Sequence, residues 1–316
     1  MNHYTAASQP TFYFIGVTTG HSSIMKVFPE WAKALGLKDT IIRGIDFAPH
    51  SAPEEYREAV TFIRDDPLSL GALVTTHKID LYRSCQDLFS YMDPYAEKLG
   101  EISSISKAAD GSLRGHAKDP ISSGLALEAF VPSDYWNTYG GDVLLLGAGG
   151  SSLAMSLYLT QEKFGGNVPG KIIIANRSLP RLTSAKALLG DLNPKTKMEY
   201  VLNPTPADND RTLASLKKHS LIVNATGLGK DIPGSPLTDA CSFPEDSLVW
   251  EINYRGNLIF KQQAEAQAAA KHLHVEDGWT YFIHGWTQVI MEVFHLTISP
   301  EMMKNLSEIA KNIKRQ

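Results

Sequence analysis

Hydrophobic and polar positions follow two alternating patterns along this chain. Short runs rich in Val, Ile, Leu and aromatic residues predict β-strands, and the longer segments between them have the apolar spacing of amphipathic helices. The predicted strands cover residues 11–17, 40–47, 71–76, 143–147, 171–176, 199–202, 221–226 and 247–254. The predicted helices cover residues 23–37, 53–66, 178–190 and 212–219, with others opening near 79 and 123 and a helix-rich tail from about 259. This alternation predicts an α/β fold with parallel strands.

Two segments depart from the alternation. Residues 102–119 predict a hairpin around the Asp110-Gly111 turn. Residues 132–142 are polar and rich in turn formers, which indicates a junction or lead-in loop.

Composition and charge narrow the functional classes. The 316 residues are 43% hydrophobic and 20% charged, with a net charge of −4. This charge gives no reason to expect a nucleic acid or a membrane surface as partner, and we expect a small molecule instead. Residues 143–160 carry no charge, but Gly and Ser interrupt them, which favours strand, turn and buried helix over a membrane span. The N-terminus is not typical of a signal peptide, and the two cysteines have no disulfide or metal-ligand spacing. We therefore expect a cytoplasmic protein without a bound metal.

A glycine-rich turn follows the strand predicted at 143–147. Its sequence, LLLGAGGSSLA, has the strand-turn-helix context of a dinucleotide-binding loop, although the spacing is GxGGxxxA and not GxGxxG. Glycines let the backbone approach a pyrophosphate, and the following helix offers free N–H groups. The alternative interpretation is an ordinary tight turn between strand and helix. The predicted cofactor-binding residues here are Gly147, Ala148, Gly149, Gly150 and Ser151.

The end of the next strand indicates which dinucleotide is bound. The segment ANRSLPR places Asn176, Arg177 and Ser178 at that end, with Arg181 one turn further on. A carboxylate here would hold the ribose hydroxyl of NAD, whereas arginine accommodates the 2′-phosphate of NADP. The sequence therefore predicts NADP, with a solvated helix start carrying chance basic residues as the alternative.

Taken in order, the motifs resemble those of the shikimate dehydrogenase family from about residue 14 to 294. The matching segments are FIGVTTGHSS, GALVTTHK, LGEISSI, GHAKDPISSG, LLLGAGGSSLA, ANRSLPR, LIVNATGLG, WEINYRG and DGWTYFIHGWTQ. The resemblance implies two lobes: an N-terminal α/β substrate-binding domain, residues 1–122 completed by helices of 265–316, and a Rossmann-like NADP-binding domain, residues 123–264. It also adds Ala225, Thr226, Gly227 and Leu228 to the cofactor-binding residues.

The resemblance identifies Lys78 and Asp119 as the catalytic pair. Reduction of a ketone by hydride builds negative charge on oxygen, which a lysine ammonium can protonate while a carboxylate orients the reacting groups. The alternative is a surface Lys78 and a helix-capping Asp119 before Pro120. The substrate-binding residues implied by the same motifs are His21, Ser22, Ser23, Thr75, Ser103, Lys118, Tyr254, Tyr281 and Gln288. For the aromatic members of this set, packing is the competing interpretation.

The departures from the family pattern concern the substrate. Side-chain amides of the family's motifs are replaced by Leu73, Ser103, Ala117 and Gly285, and a threonine is replaced by Lys118. Losing several hydrogen-bonding groups at about 1 to 3 kcal/mol each weakens binding of shikimate.

We therefore expect an NADP-dependent oxidoreductase, a monomer or homodimer, acting on a cyclic polyol or hydroxy acid other than shikimate. One alternative is a catalytically decayed regulatory protein that senses NADP or a metabolite. Another is a different two-domain, lysine-dependent enzyme, such as a methylenetetrahydrofolate dehydrogenase or glutamyl-tRNA reductase. The motif order and the cysteine positions disfavour this last group.

Overall fold

A computed structural model describes residues 4–190, 192–230 and 232–314. The chain forms two compact units. The first contains the residues up to Lys118 together with those from Gly285 onward, and the second runs from Asp119 to His284. The chain thus leaves the first unit and returns to it.

The first unit is built on six strands. They are β1 (Thr11–Gly16), β2 (Ile41–Asp46), β3 (Ser69–Val74), β4 (Phe89–Met92), β5 (Ser104–Lys107) and β6 (Leu113–His116). Its helices are α1 (Ile24–Ala34), α2 (Pro53–Asp65), α3 (Lys78–Cys85), α4 (Pro94–Leu99), the later part of α11 (Trp279–Val293) and α12 (Pro300–Lys314).

The strands form one mixed sheet in the order β2-β1-β3-β5-β6-β4. Strand β5 is antiparallel to both of its neighbours, and every other pairing is parallel. The carboxyl ends of β1, β2, β3, β4 and β6 therefore share one edge of the sheet with the amino end of β5. The predicted hairpin is present as β5 and β6, with Gly111 at a φ of 83° in its turn.

Apolar side chains bury both faces of this sheet. One cluster packs β1 and β3 against α2 through residues such as Ile15, Tyr56, Val60 and Val74. On α11, Trp286 meets Phe14 edge to face with ring centroids 4.9 Å apart. The later part of α11 is therefore held against the sheet by its aromatic face.

The second unit contains the remaining elements. Its strands are β7 (Val143–Leu146), β8 (Lys171–Asn176), β9 (Lys197–Leu202), β10 (Leu221–Asn224), β11 (Leu248–Glu251) and β12 (His274–Glu276). Its helices are α5 (Asp119–Glu128), α6 (Tyr135–Tyr139), α7 (Gly150–Leu159), α8 (Leu179–Leu189), α9 (Pro206–Ala214), α10 (Ile259–Lys271) and the first turns of α11.

The second sheet is entirely parallel, in the order β12-β11-β10-β7-β8-β9. Numbered within the unit from β7, this order is 6-5-4-1-2-3, the doubly wound arrangement of dinucleotide-binding domains. The strand order reverses between β7 and β10. The predicted α/β class and Rossmann-like second domain are confirmed.

Several local predictions differ from the structure. The helix predicted at 212–219 lies at Pro206–Ala214, because Thr205 and Asp208 cap it as a reciprocal pair and Pro206 starts it. Helix α6 occupies part of the polar loop predicted at 132–142, and α5 begins at Asp119, earlier than residue 123.

The division between the units also differs from the predicted boundaries. It falls at 118/119 and 284/285, not at 122/123 and 264/265. The second difference is larger because β12, which the sequence does not signal, pairs with β11 and keeps α10 in the second unit.

Candidate functional site

The predicted substrate-side residues of the first unit gather at the carboxyl edge of its sheet. His21, Ser22 and Ser23 follow β1, Thr75 and Lys78 follow β3, Ser103 precedes β5, and Lys118 follows β6. Ligands of open α/β sheets bind outside the carboxyl ends of the strands. The topology therefore assembles residues that are as far apart as 21 and 118 in the sequence.

Backbone hydrogen bonds fix the position of Lys78 at this edge. Its N–H donates to Thr75 O at 3.2 Å, and its carbonyl accepts the N–H of Ile102 at 3.1 Å. The Thr75 hydroxyl donates to Ile15 O at 3.2 Å. Lys78 is the first residue of α3 and is partly buried.

The residue before Lys78 is a buried histidine that sequence reasoning missed. Tyr56 Oη lies 2.9 Å from His77 Nδ1, and His77 Nε2 lies 3.2 Å from Gly16 O. A carbonyl only accepts, so Nε2 carries the proton and Nδ1 accepts from the tyrosine. Burial lowers the pKa of His77, which agrees with this neutral form. The side chain connects β1, α2 and the start of α3.

Ser103 has a structural role in addition to its predicted one. Its hydroxyl accepts the N–H of Lys118 at 2.7 Å and donates to His116 O at 3.4 Å. The residue is only 3% exposed. Ser103 thus fixes the backbone at Lys118.

Lys118 belongs to an ion-pair cluster with a residue from the other end of the chain. Its Nζ lies 2.6 Å from Glu292 Oε2, and Glu292 Oε1 lies 3.2 Å from His116 Nε2. Burial lowers the pKa of His116 to about 4 despite the nearby carboxylate, so the ring is neutral at pH 7. Burial also acts to raise the pKa of Glu292, but the hydrogen bond and charge of Lys118, with a smaller contribution from Arg114, outweigh it and hold that pKa below its ordinary value.

Two further carboxyl groups lie at the same edge and were not predicted. Asp93 follows β4, and its carboxylate accepts the N–H groups of Ala96 at 2.6 Å and Ala117 at 3.2 Å. Burial raises the pKa of Asp93 against these hydrogen bonds. Glu101, directly before Ile102, is 3% exposed. This edge is therefore rich in carboxyl groups as well as in lysines.

The other predicted residues of the first unit are more accessible. His21 is exposed, while Ser22 and Ser23 are half-buried at the start of α1, where the Ser23 hydroxyl makes no helix-capping bond. Gln288 is half-buried and lies one helical turn before Glu292.

In the second unit, the glycine-rich turn lies at the point where the strand order reverses. Gly147 has a φ of 111°, and a Cβ there would come within 2.8 Å of Ala225 O, so the turns after β7 and β10 touch. A Cβ at Gly149 or Gly227 would have no described atom within 4 Å. These two uncrowded glycines leave room for close approach of a pyrophosphate. The predicted residues 147–151 and 225–228 are thus brought together.

A buried carboxyl group organises the turn after β10. Glu251 is inaccessible to solvent, and its two oxygens accept the amide nitrogens of Asn224 and Asn253, each at 2.6 Å. Asn224 Oδ1 in turn accepts the N–H of Thr226 at 3.0 Å and its hydroxyl at 2.6 Å. Burial raises the pKa of Glu251 to about 7, against the hydrogen bonds from Asn253 and Asn224.

The end of β8 carries the residues predicted to choose between NADP and NAD. Asn176 ends the strand and Ser178 precedes α8, while Arg177 and Arg181 are both exposed. The segment from Asn176 to Arg181 contains no carboxylate. A 2′-phosphate fits these residues better than a free ribose hydroxyl pair does.

The remaining predicted residues belong to the second unit. Asp119 is the first residue of α5. Tyr254 packs against Phe282 with ring centroids 4.6 Å apart, and Tyr281 packs against Trp250 at 5.6 Å. Aromatic packing thus occupies part of both tyrosine rings.

Two features are absent from the part of the chain that the structure describes. Within residues 4–190, 192–230 and 232–314, we find no cluster of three or more His, Cys, Asp and Glu side chains able to hold a metal ion. Among the helices formed by those same residues, none has the length and apolar character that crossing a bilayer requires.

The fold and the site define a two-unit α/β protein with a dinucleotide-binding second unit. No model of a known protein family matches the chain. Individual proteins do: the chain is 26% identical over 271 residues to a shikimate dehydrogenase (NADP(+)) of Paramagnetospirillum magneticum, covering 85% of this chain and 87% of that protein.

Solved structures of proteins with related names share the fold of this chain. Shikimate 5-dehydrogenase of Thermus thermophilus, in complex with NADP(H) and shikimate, superposes with a TM-score of 0.69 at 21% identity, covering 95% of this chain and 99% of that one. A 5-ketofructose reductase of a Gluconobacter species superposes with a TM-score of 0.66 at 17% identity, covering 96% and 99%. The predicted resemblance is confirmed: the curated relatives that this chain matches are shikimate dehydrogenases, and the solved shikimate dehydrogenases share its fold.

Proposed function

We propose that this protein is an NADP-dependent dehydrogenase that interconverts a hydroxyl and a ketone on a cyclic polyol or hydroxy acid other than shikimate. The observation that carries the proposal is the pairing, at the switch point of the second sheet, of two glycine turns with arginines and no acid at the end of β8. The curated relatives named shikimate dehydrogenase (NADP(+)) support this cofactor and reaction class.

The residues of the second unit fit NADP. Backbone N–H groups at the start of α7 and the open glycines suit a pyrophosphate, and Arg177 with Arg181 suits the 2′-phosphate. The cofactor, when bound, supplies or accepts the hydride.

The proton chemistry is assigned to Lys78. Its ammonium donates a proton to the oxygen that gains negative charge during ketone reduction, and the amine takes that proton back in the reverse direction. The resemblance assigns to Asp119 the role of orienting the reacting groups. His77, through Tyr56 and Gly16, holds the backbone that carries Lys78.

The substrate differs from shikimate because the family's amide positions offer no equivalent groups here. Leu73 and Ala117 are apolar and buried, and the Ser103 hydroxyl is used by the backbone. A 5-ketofructose reductase among the structural neighbours supports a wider range of polyhydroxylated substrates for this fold.

The test is a steady-state screen of NADP reduction with cyclitols, quinate, shikimate and sugar acids, followed by Lys78→Ala on the best substrate. We expect turnover to fall about 10²- to 10⁴-fold while NADP affinity is nearly unchanged, since general acid-base catalysis contributes about that much. Full activity of Lys78→Ala rejects the mechanism. NADP binding without turnover of any compound favours the alternative of a metabolite-sensing protein, and efficient turnover of shikimate refutes the substrate assignment.

A further inference from the structure

The cluster of Lys118, Glu292 and His116 lies at the sheet edge to which the proposed function assigns the substrate. Lys118 lies two residues after the end of β6. Its N–H is bonded to Ser103, in the segment that also holds Lys78, since Ile102 donates to the Lys78 carbonyl. Glu292 reaches this edge from α11, 174 residues further along the chain. The cluster is therefore a built feature of the edge and not a flexible surface pair.

The charges of the cluster cancel. The Lys118 ammonium is paired with the Glu292 carboxylate at 2.6 Å, and the Nε2 atom of the neutral His116 ring lies 3.2 Å from the same carboxylate. The side chains of Lys118 and Glu292 are 12% and 24% exposed, so solvent screens their attraction only partly. The lysine thus presents no net positive charge to a substrate.

The surroundings are unfavourable for an anion. Asp93 and Glu101 are buried carboxyl groups at the same edge, 7% and 3% exposed. A substrate carboxylate placed beside Glu292 would meet a like charge and a lysine that is already paired, and like-charge juxtaposition is a strong discriminator between ligands.

The same groups suit hydroxyls. A carboxylate accepts several hydrogen bonds and an ammonium donates three, so a paired Lys and Glu can bind an alcohol that both donates and accepts. Gln288 lies one turn before Glu292 on the same side of α11, and Gly285 one turn before Gln288. A Cβ at Gly285 would have no described atom within 4 Å. This face of α11 is polar and uncrowded.

We propose that Lys118, Glu292 and His116 select uncharged polyhydroxylated substrates and disfavour hydroxy acids. The inference rests on the proposed dehydrogenase function and deepens it, because it chooses the polyol from the two substrate classes named there. Glu292 and Lys118 are the specificity-determining residues, and His116 is a positioning residue that orients the carboxylate.

The experiment compares two matched probes, myo-inositol and quinate, which are ring polyols without and with a carboxylate. Their dissociation constants are measured by calorimetry for the unmodified protein, Glu292→Gln and Lys118→Met. The control is Glu30→Gln, because Glu30 also pairs with a lysine, Lys33 at 2.7 Å, but on an exposed surface.

We expect the unmodified protein to prefer myo-inositol. Glu292→Gln leaves the Lys118 charge unbalanced and should shift the preference at least tenfold toward quinate, whereas Lys118→Met should shift it the opposite way. Glu30→Gln should leave it unchanged. Opposite shifts distinguish specificity from a purely structural role, which would weaken both probes in both variants.

Preference for quinate by the unmodified protein overturns the inference. So do parallel shifts in the two variants, or no binding of either probe. Turnover assays with NADP separate this inference from the proposed function. If the two variants shift the preference in opposite directions but no ring alcohol is oxidised, the dehydrogenase function is rejected and the specificity role of the cluster is retained. If a ring alcohol is oxidised but the shifts are not opposite, the dehydrogenase function is retained and the specificity role is rejected.

Discussion

Glu251→Gln gives a sharp test of the electrostatics in the second unit. The folded-state pKa of Glu251 is about 7, against an ordinary value of 4.5, because the carboxyl group is buried. At 1.36 kcal/mol per pH unit, this difference corresponds to about 3 kcal/mol. The folded protein binds this proton more tightly than the unfolded chain does. This tighter proton binding therefore contributes its full stabilisation to the folded state below about pH 4.5, and that stabilisation is lost as the pH rises to about 7.

Glutamine has a similar shape but cannot ionise. Its amide nitrogen would also face the Asn224 amide, whose oxygen is already held by Thr226, so a constant loss of stability is expected at every pH. The informative quantity is the free energy of unfolding of the unmodified protein minus that of Glu251→Gln. This difference should fall by about 2 to 3 kcal/mol between pH 5 and 8.

Urea titrations at four pH values across that range provide the measurement, and contributions from all other groups cancel in the difference. Glu245→Gln is the control, because Glu245 lies near the same strand but is exposed, and Lys218 lowers its pKa. The free energy of unfolding of the unmodified protein minus that of Glu245→Gln should be constant between pH 5 and 8. A constant difference for Glu251→Gln as well would show that Glu251 does not titrate near neutrality and would refute the reasoning.

Three further predictions concern the cofactor, the chemistry and the packing. Arg177→Asp with Arg181→Ala should abolish or reverse the preference for NADP, measured by fluorescence titration, and equal binding of NAD by the unmodified protein contradicts the assignment. Asp119→Asn should slow turnover at nearly unchanged NADP affinity, and unchanged turnover argues against its role. Gly124→Ala should destabilise the protein by about 1 to 3 kcal/mol in urea titrations, because its Cβ would lie 2.1 Å from the Tyr158 ring. Unchanged stability would mean that α5 and α7 move apart to accommodate the added methyl group without a cost in free energy.

The sequence by itself determined the elements whose signals are local. Periodicity predicts the strands and most helices, since the positions that face the core recur every two residues in a strand and every three to four in a helix. The glycine turn after β7 and the arginines after β8 are likewise readable because each motif is one continuous segment with a known strand-turn-helix context.

The bounds of α9 and the presence of β12 depend on helix capping and strand pairing, which the periodic pattern does not show. The capping pair of Thr205 and Asp208 moved α9 toward the N-terminus of its predicted position. The three-residue strand β12 has too little sequence for a periodic signal and exists because β11 offers an edge to pair with. That pairing also kept α10 in the second unit.

Only the tertiary structure decided the partners of the buried polar groups. Lys118 and Glu292 are 174 residues apart, and His77 depends on Tyr56 and Gly16 in two other elements. The sequence alone does not distinguish a solvated lysine or histidine from a buried, paired one. The groups that offset the cost of burying such a side chain come close to it only after the sheet has formed. The family motifs therefore located the candidate site, and the fold determined its charge balance.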